Sequence, residues 1–333
     1  MDIKTIEQQI FTVANNVDFD SAAVEVFNYQ YRTNPVYNQY VNYLGISPEQ
    51  VESVHKIPFL PIQFFKTHTV LSGCGIEDCP ECFTSSGTTG QNTSRHYVKD
   101  PEIYFRSLEI GFRQFYGSPG NYTILALLPS YLERKGSSLI VMAQRLMQLS
   151  GQKEEGFFLY DFNALQQRIN QEIASGKKVL LIGVTFALLD FAEQYPQHYG
   201  DNVIIMETGG MKGRKKEIIR QEVHQILTSQ LGVSAIHSEY GMTELLSQAY
   251  SSGGGLYRET STMKIIIRDS TDPLSTTPDT TAGCINVIDL ANIHSCSFIE
   301  TQDLGIRHQD GTFEVLGRND HSDIRGCNLM YAG

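Results

Sequence analysis

Apolar positions recur along this chain in two rhythms. Between residues 100 and 115, Ile103, Leu108, Ile110 and Phe112 return at helical spacing, and 138–148 reads as a second helix. Short apolar runs at 122–128, 178–184, 203–206 and 233–237 predict strands instead, with a helix from Thr185 to about Gln194 between two of them. The segment 214–227 predicts an amphipathic helix with Ile218, Ile219, Val223, Ile226 and Leu227 inward. Strands spaced by helices predict βαβ units around a parallel sheet, with loops at the strand ends.

The flanking regions follow other patterns. Residues 1–70 read as mainly helical, studded with Phe27, Tyr29, Tyr31, Tyr37, Tyr40 and Tyr43, an aromatic density that predicts packing. The prolines at 58 and 61, within an apolar run, predict an irregular segment tucked against a core. A break rich in Ser, Thr, Asp and Pro at 269–283 predicts a subdomain boundary. Beyond it, short strands are expected at 285–290, 296–300, 306–308 and 312–316, with Asp310-Gly311 as a hairpin turn. The expected fold class is α/β: a core over 1–270 with βαβ units and mixed sheets, plus a small β-rich subdomain over 284–333.

Composition narrows the function classes. With 26 basic and 37 acidic residues the formal charge is −11, which argues against a nucleic-acid footprint. The N-terminus has no signal-peptide core and no apolar run reaches a bilayer span, so the chain reads as cytoplasmic. Six cysteines in such a context predict reduced thiols. Cys74, Cys79 and Cys82 are spaced as three ligands of a zinc or iron–sulfur site would be, but no fourth ligand is close, and partly buried structural thiols are the alternative.

Two motifs carry candidate chemistry. Ser85, Ser86, Gly87, Thr88, Thr89 and Gly90 form a run whose N–H and O–H groups suit a polyphosphate, because glycine permits close backbone approach. It lacks the Gly-Lys-Ser/Thr of a Walker loop, and a solvated polar turn is the other reading. After the strand expected at 233–237 comes Glu239-Tyr240-Gly241-Met242-Thr243-Glu244. There Tyr240 can stack on a base, Thr243 can donate to a phosphate, and Glu244 can bind Mg²⁺. The ends of strands in open α/β sheets are where ligands bind.

Together SSGTTG and YGMTE resemble the adenylate-forming superfamily of acyl- and aryl-CoA ligases. A third block agrees: Thr301-Gln302-Asp303-Leu304-Gly305, then Asp310-Gly311, then Gly317-Arg318-Asn319-Asp320. The resemblance implies an acyl-CoA synthetase-like large-domain core that uses ATP and Mg²⁺. The first loop would hold the ATP phosphates, Tyr240 and Gly241 the adenine, Thr243 a phosphate, and Glu244 the metal. Asp303 would grip the ribose, Arg318 would contact the nucleotide, and Gly209 and Gly210 would line the adenine.

Two departures narrow the resemblance. Most relatives continue the phosphate loop through Pro-Lys, where this chain has Gln91-Asn92-Thr93-Ser94-Arg95, leaving Arg95 as a replacement charge. The sequence also stops at Gly333, where CoA-using relatives carry a further mobile domain, which is expected to be absent. Residues 129–134, 207–213 and Arg325-Gly326-Cys327 are similar to the acyl-protein synthetase (LuxE-type) family. That family makes an acyl adenylate from a fatty acid and moves the acyl group to a cysteine near its own C-terminus. The resemblance implies Cys327 as the acyl-accepting thiol and makes Cys327, Glu244 and Thr243 the catalytic candidates. An acyl reductase, a carrier protein or CoA would be the partner or acceptor. The alternatives are a CoA ligase of the phenylacetate-CoA ligase type and a nucleotide- or acyl-binding module with little catalysis.

Overall fold

The protein is described by a computed structural model, which covers residues 3–13, 16–85, 93–128, 136–152, 156–209, 219–272 and 274–318. The chain opens with helices α1 (Ile3–Gln9), α2 (Asn16–Thr33) and α3 (Pro35–Tyr43). Asn34 separates the last two because its side chain accepts the Tyr37 N–H at 3.0 Å and Pro35 fits the first turn. Past Tyr43 the segment becomes irregular, with a short strand β1 (Leu60–Pro61) and a single helical turn α4 (Phe64–Thr67). The aromatics of this region pack as expected. Tyr37 stacks on Phe298 at 5.9 Å, and Phe27 meets both rings edge-on.

Strands β2 (Glu81–Thr84) and β3 (Arg95–Val98) then form a separate antiparallel hairpin. Helix α5 (Pro101–Tyr116) follows, capped by Asp100, and Gly111 lets it approach Thr260 more closely than a Cβ would allow. From there the chain alternates: β4 (Tyr122–Leu127), α6 (Ser138–Ser150), β5 (Phe157–Phe158), α7 (Phe162–Ala174), β6 (Lys178–Val184), α8 (Thr185–Gln194), β7 (Val203–Thr208), α9 (Arg220–Leu231) and β8 (Ile236–Tyr240). These strands are parallel in the order β5-β4-β6-β7-β8. The largely apolar strands β4, β6 and β7 are buried over most of their length, as a parallel sheet covered by helices requires.

The second half of the sheet is antiparallel and is where expectation and structure part. Strands β9 (Ala249–Ser251), β10 (Tyr257–Glu259) and β11 (Met263–Arg268) precede the 269–283 break, and β12 (Gly283–Asp289), β13 (Phe298–Arg307) and β14 (Phe313–Arg318) follow it. The full order is β11-β12-β13-β14-β10-β9-β8-β7-β6-β4-β5, with β1 added beside β13. The 269–283 segment is thus the connection between two paired strands, β11 and β12. Asp310-Gly311 forms the turn between β13 and β14, with Gly311 at φ 81°.

Several expected elements are corrected. The strands expected at 296–300 and 306–308 are one strand, β13, running through 301–305. Helix α9 is described from Arg220, and residues 210–218, including Ile218, lie outside the described residues. Ile219 is 69% exposed and Ile226 36% exposed, so neither is inward; Val223, Leu227 and Leu231 form the buried stripe. The β8 strand lies three residues later than 233–237, which brings Tyr240 to its end. Among the described residues no helix is long and apolar enough to cross a membrane.

Candidate active site

The site gathers where the parallel strands end and the antiparallel half begins. Hairpin β2–β3 brings in the first motif. The Ser85 N–H donates to the Ser94 carbonyl at 3.2 Å and the Ser94 N–H donates to Ser85 Oγ at 2.9 Å. Ser86, Gly87, Thr88, Thr89 and Gly90 lie outside the described residues. Arg95 sits exposed on β3 opposite Thr84.

The hairpin is fastened to the second motif from behind. His96 on β3 is buried between Phe65 and Phe83, and its Nδ1 lies 2.9 Å from the Thr243 carbonyl. Burial lowers the His96 pKa to about 4, so the ring is neutral and its proton sits on Nδ1, facing that carbonyl. The turn after Tyr240 is held by further groups. Asn292 Nδ2 donates to the Glu244 carbonyl at 2.7 Å. Asp289, fully buried, accepts from the N–H groups of Leu246, Ser247 and Ala291 and from the Ser247 hydroxyl at 2.6 to 3.1 Å.

Glu244 itself is buried, and burial raises its pKa; the Ser94 side chain, Lys66 and Arg318 oppose that shift. A carboxyl so desolvated is one that a divalent cation would return to its anionic form, so the side chain fits a magnesium ligand. Thr243 is half-buried beside it and Gly241 is exposed. Among the described residues no cluster of three or more His, Cys, Asp or Glu side chains is gathered for a metal, and Cys74, Cys79 and Cys82 are free, partly buried thiols with raised pKa values.

The second and third motifs meet directly. The Tyr240 hydroxyl donates to Asp303 Oδ2 at 2.8 Å, while the Tyr240 ring packs edge-on against Tyr257 and Phe313. Asp303 reaches this position through a β-bulge. Between the pairs Cys284–Leu304 and Asn286–Glu300, strand β12 has one residue and β13 has three, Thr301, Gln302 and Asp303. The Thr301 hydroxyl closes the bulge by donating to the Ile285 carbonyl and accepting the Asp303 N–H. Arg318 lies opposite on β14, 3.6 Å from Asp303, with its side chain 75% exposed. Burial raises the Asp303 carboxyl, and Tyr240 and Arg318 pull it back.

A second acidic group lines the ends of β6, β7 and β8. Glu207 accepts from the Thr185 hydroxyl at 2.8 Å and pairs with His224 Nε2 at 2.9 Å. The same Thr185 hydroxyl reaches the carbonyl of Gly209, which is exposed; Gly210 lies outside the described residues. Glu239 accepts from the Thr208 hydroxyl at 2.6 Å, and burial pushes its pKa up to about 7. Cys327 also lies outside the described residues, as do Asn319 and Asp320. Sequence reasoning missed Asp289, Asn292, His96, Glu239 and His224. An aspartate ending an apolar strand was the one legible sign among them, since a buried carboxylate must find donors.

Residues 149–332 match the family model described as acyl-protein synthetase, LuxE. Among solved structures the chain is similar to ATP-bound MatB from Rhodopseudomonas palustris, at 14% identity and TM-score 0.52, covering 74% of this chain and 49% of that one. It is similar to O-succinylbenzoate coenzyme A synthetase (MenE) from Bacillus subtilis in complex with AMP, at 15% identity and TM-score 0.52, covering 75% and 51%. It is also similar to 2-hydroxyisobutyryl-CoA ligase in complex with 2-HIB-AMP and CoA, at 11% identity and TM-score 0.64, covering 92% and 71%. The chain spans about half the length of the first two. At these identities the likeness is one of fold, and the α/β fold with a large mixed sheet is the one expected from the sequence. A search of curated proteins finds no match.

Proposed function

The chain belongs to the acyl-protein synthetase (LuxE) family, and from that premise we propose that it activates a carboxylic acid, most simply a fatty acid, with ATP and transfers the acyl group to Cys327. In the first step a carboxylate oxygen attacks the α-phosphorus of ATP, and pyrophosphate leaves with the electron pair, giving acyl-AMP. In the second, the Cys327 thiolate attacks the acyl carbonyl carbon and AMP leaves, giving a thioester. The observation that carries this reading is the 2.8 Å bond between Tyr240 and Asp303, which joins two motifs 63 residues apart in one crevice.

In this reading Ser85, Ser86, Gly87, Thr88, Thr89 and Gly90 hold the phosphates. Tyr240 and Gly241, with Gly209 and Gly210, bound the adenine. Asp303 holds the ribose hydroxyls, and Arg318 keeps that carboxylate charged and faces the nucleotide. Thr243 donates to a phosphate oxygen beside Glu244. Glu244 would hold Mg²⁺, which when bound neutralises charge on the phosphate oxygens. Residues 1–270 supply the first two motifs and 284–333 the third.

The test is intact-protein mass spectrometry after incubation with ATP, Mg²⁺ and a panel of carboxylic acids, alongside Cys327→Ser. The expected result is a hydroxylamine-labile acyl adduct absent from the variant. Pyrophosphate release without an adduct, and with CoA-dependent AMP release, would move the acceptor from Cys327 to CoA. The absence of both products would sink the reading.

A further inference from the structure

Behind the Thr243–Glu244 turn lies a small cavity that the reaction does not use. Its volume is about 10 Å³, roughly the space of one water molecule. Among its lining residues are His96, Asn292 and His294, which are 1%, 0% and 7% exposed. One atom of each, His96 Nε2, Asn292 Oδ1 and His294 Nδ1, is buried without a hydrogen-bond partner. An unpaired buried polar atom costs about 1 to 3 kcal/mol, so three around one cavity call for an occupant.

The other atoms of these side chains fix what that occupant must be. His96 gives its one ring proton, on Nδ1, to the Thr243 carbonyl, which leaves Nε2 a lone pair. Asn292 gives its Nδ2 to the Glu244 carbonyl, which leaves Oδ1 as an acceptor. Asn292 lies beside His96 and opposes the fall in its pKa, while His96 Nε2 and Asn292 Oδ1 each lack a partner in hydrogen-bonding geometry. His294 Nε2 is 2.7 Å from Glu7 Oε1. The species needed is small and carries two hydrogens for His96 and Asn292. Lys99 and Asp100 both line the cavity, so its charged neighbours offset one another and give it no net preference for a cation.

We propose that a single internal water occupies this cavity and acts as a positioning node for the candidate active site. It donates to His96 Nε2 and Asn292 Oδ1 and lies beside His294, which also lines the cavity. Through the first two contacts the water ties the β2–β3 hairpin to the 290–295 connection. The same connection is held to the N-terminal helices by Gln30, which bonds the carbonyls of Asn292 and Ile293, and by Asn34, which bonds that of Ser295. The node therefore sets the hairpin that carries the phosphate-type loop at a fixed distance from Glu244. His96, Asn292 and His294 are positioning residues, and their effect on ATP rests on the function proposed above.

The test combines a crystal structure of the full chain, oxygen-17 relaxation dispersion and an ATP affinity. The crystal structure should hold one ordered water within hydrogen-bonding distance of His96 and Asn292; an empty cavity or a metal ion there overturns the proposal. Ala291→Val pushes two methyl groups toward the cavity while leaving all three polar side chains in place. It should remove one long-lived water from the relaxation signal and weaken calorimetric binding of magnesium-ATP by about tenfold, the loss of one buried bridge. A water lost with no change in ATP affinity would overturn its positioning role. Should the unaltered protein bind no ATP, the proposed function fails, while the crystal structure and the relaxation count still decide the water. The unaltered protein also decides its presence if the variant does not fold.

Discussion

The two sides of the candidate site are built on different principles. On one side the turn after Tyr240 is held by groups whose bonds go to backbone: Asp289 to three N–H groups, Asn292 to the Glu244 carbonyl, His96 to the Thr243 carbonyl. On the other, the crevice is lined by carboxyls that have few partners, with Glu239 meeting one hydroxyl and Asp303 meeting Tyr240 and an exposed Arg318. The first side directs its hydrogen bonds to its own shape, and the atoms left over, His96 Nε2 and Asn292 Oδ1, are buried away from any ligand. The second retains capacity for a ligand. Stability should therefore live on the turn side and binding on the crevice side.

The strongest way to break that division is Asp289→Ala. It leaves the Leu246, Ser247 and Ala291 N–H groups and the Ser247 hydroxyl without their acceptor inside the core. A loss of about 4 kcal/mol is expected, read from the urea midpoint. A loss below about 1 kcal/mol would mean that the turn does not depend on this anchor.

Glu244→Gln sharpens the comparison because this side chain stands on the turn but faces the chemistry. Carboxylate-dependent pyrophosphate release should fall by about 100-fold, while thermal stability holds or rises slightly, since the amide resembles the protonated carboxyl that burial favours. Parallel losses of both would assign Glu244 to the scaffold.

Glu239 gives a pH-dependent test of the crevice. Its folded pKa of about 7 lies above the ordinary carboxylate value of 4.5, so the folded state holds the proton longer than the unfolded one. Its contribution to stability is complete below pH 4.5 and is lost as pH rises through 7. Glu239→Gln lacks that loss. Its stability relative to the parent should climb by about 2 kcal/mol from pH 4.5 to 7, the linkage reduced because the side chain is only half-buried. A flat difference would show that the carboxyl is not desolvated. The smallest effect belongs to Arg318→Ala: less than about 1 kcal/mol of stability, because the ion pair is largely solvated, but a several-fold rise in the KM for ATP.

The same division governs what could be read from the sequence. Most of the parallel half was legible because β4, β6 and β7 are largely apolar runs; the two-residue β5 and helix α7 were not anticipated. The antiparallel half was not, since β9 and β10 are three residues each and leave no periodicity to detect. Strand β11 did carry a signal in Ile265, Ile266 and Ile267, β-branched residues beside a charged pair. Within the site, the motif residues announce themselves by type and local order. Their supports do not, because Asp289, Asn292 and His96 act on residues 43, 48 and 147 positions away. A contact of that range has no local signature.

The bulge at 301–303 has a consequence for how this crevice tolerates change. The direction of Asp303 is set by a count of backbone units, three against one, closed by the Thr301 hydroxyl. Substitutions at Gln302 leave that count intact. Removal of Gln302 would shift the parity of β13, since side chains alternate faces residue by residue, and turn the carboxylate away from Tyr240. This stretch should therefore accept drift in its letters while its length stays frozen.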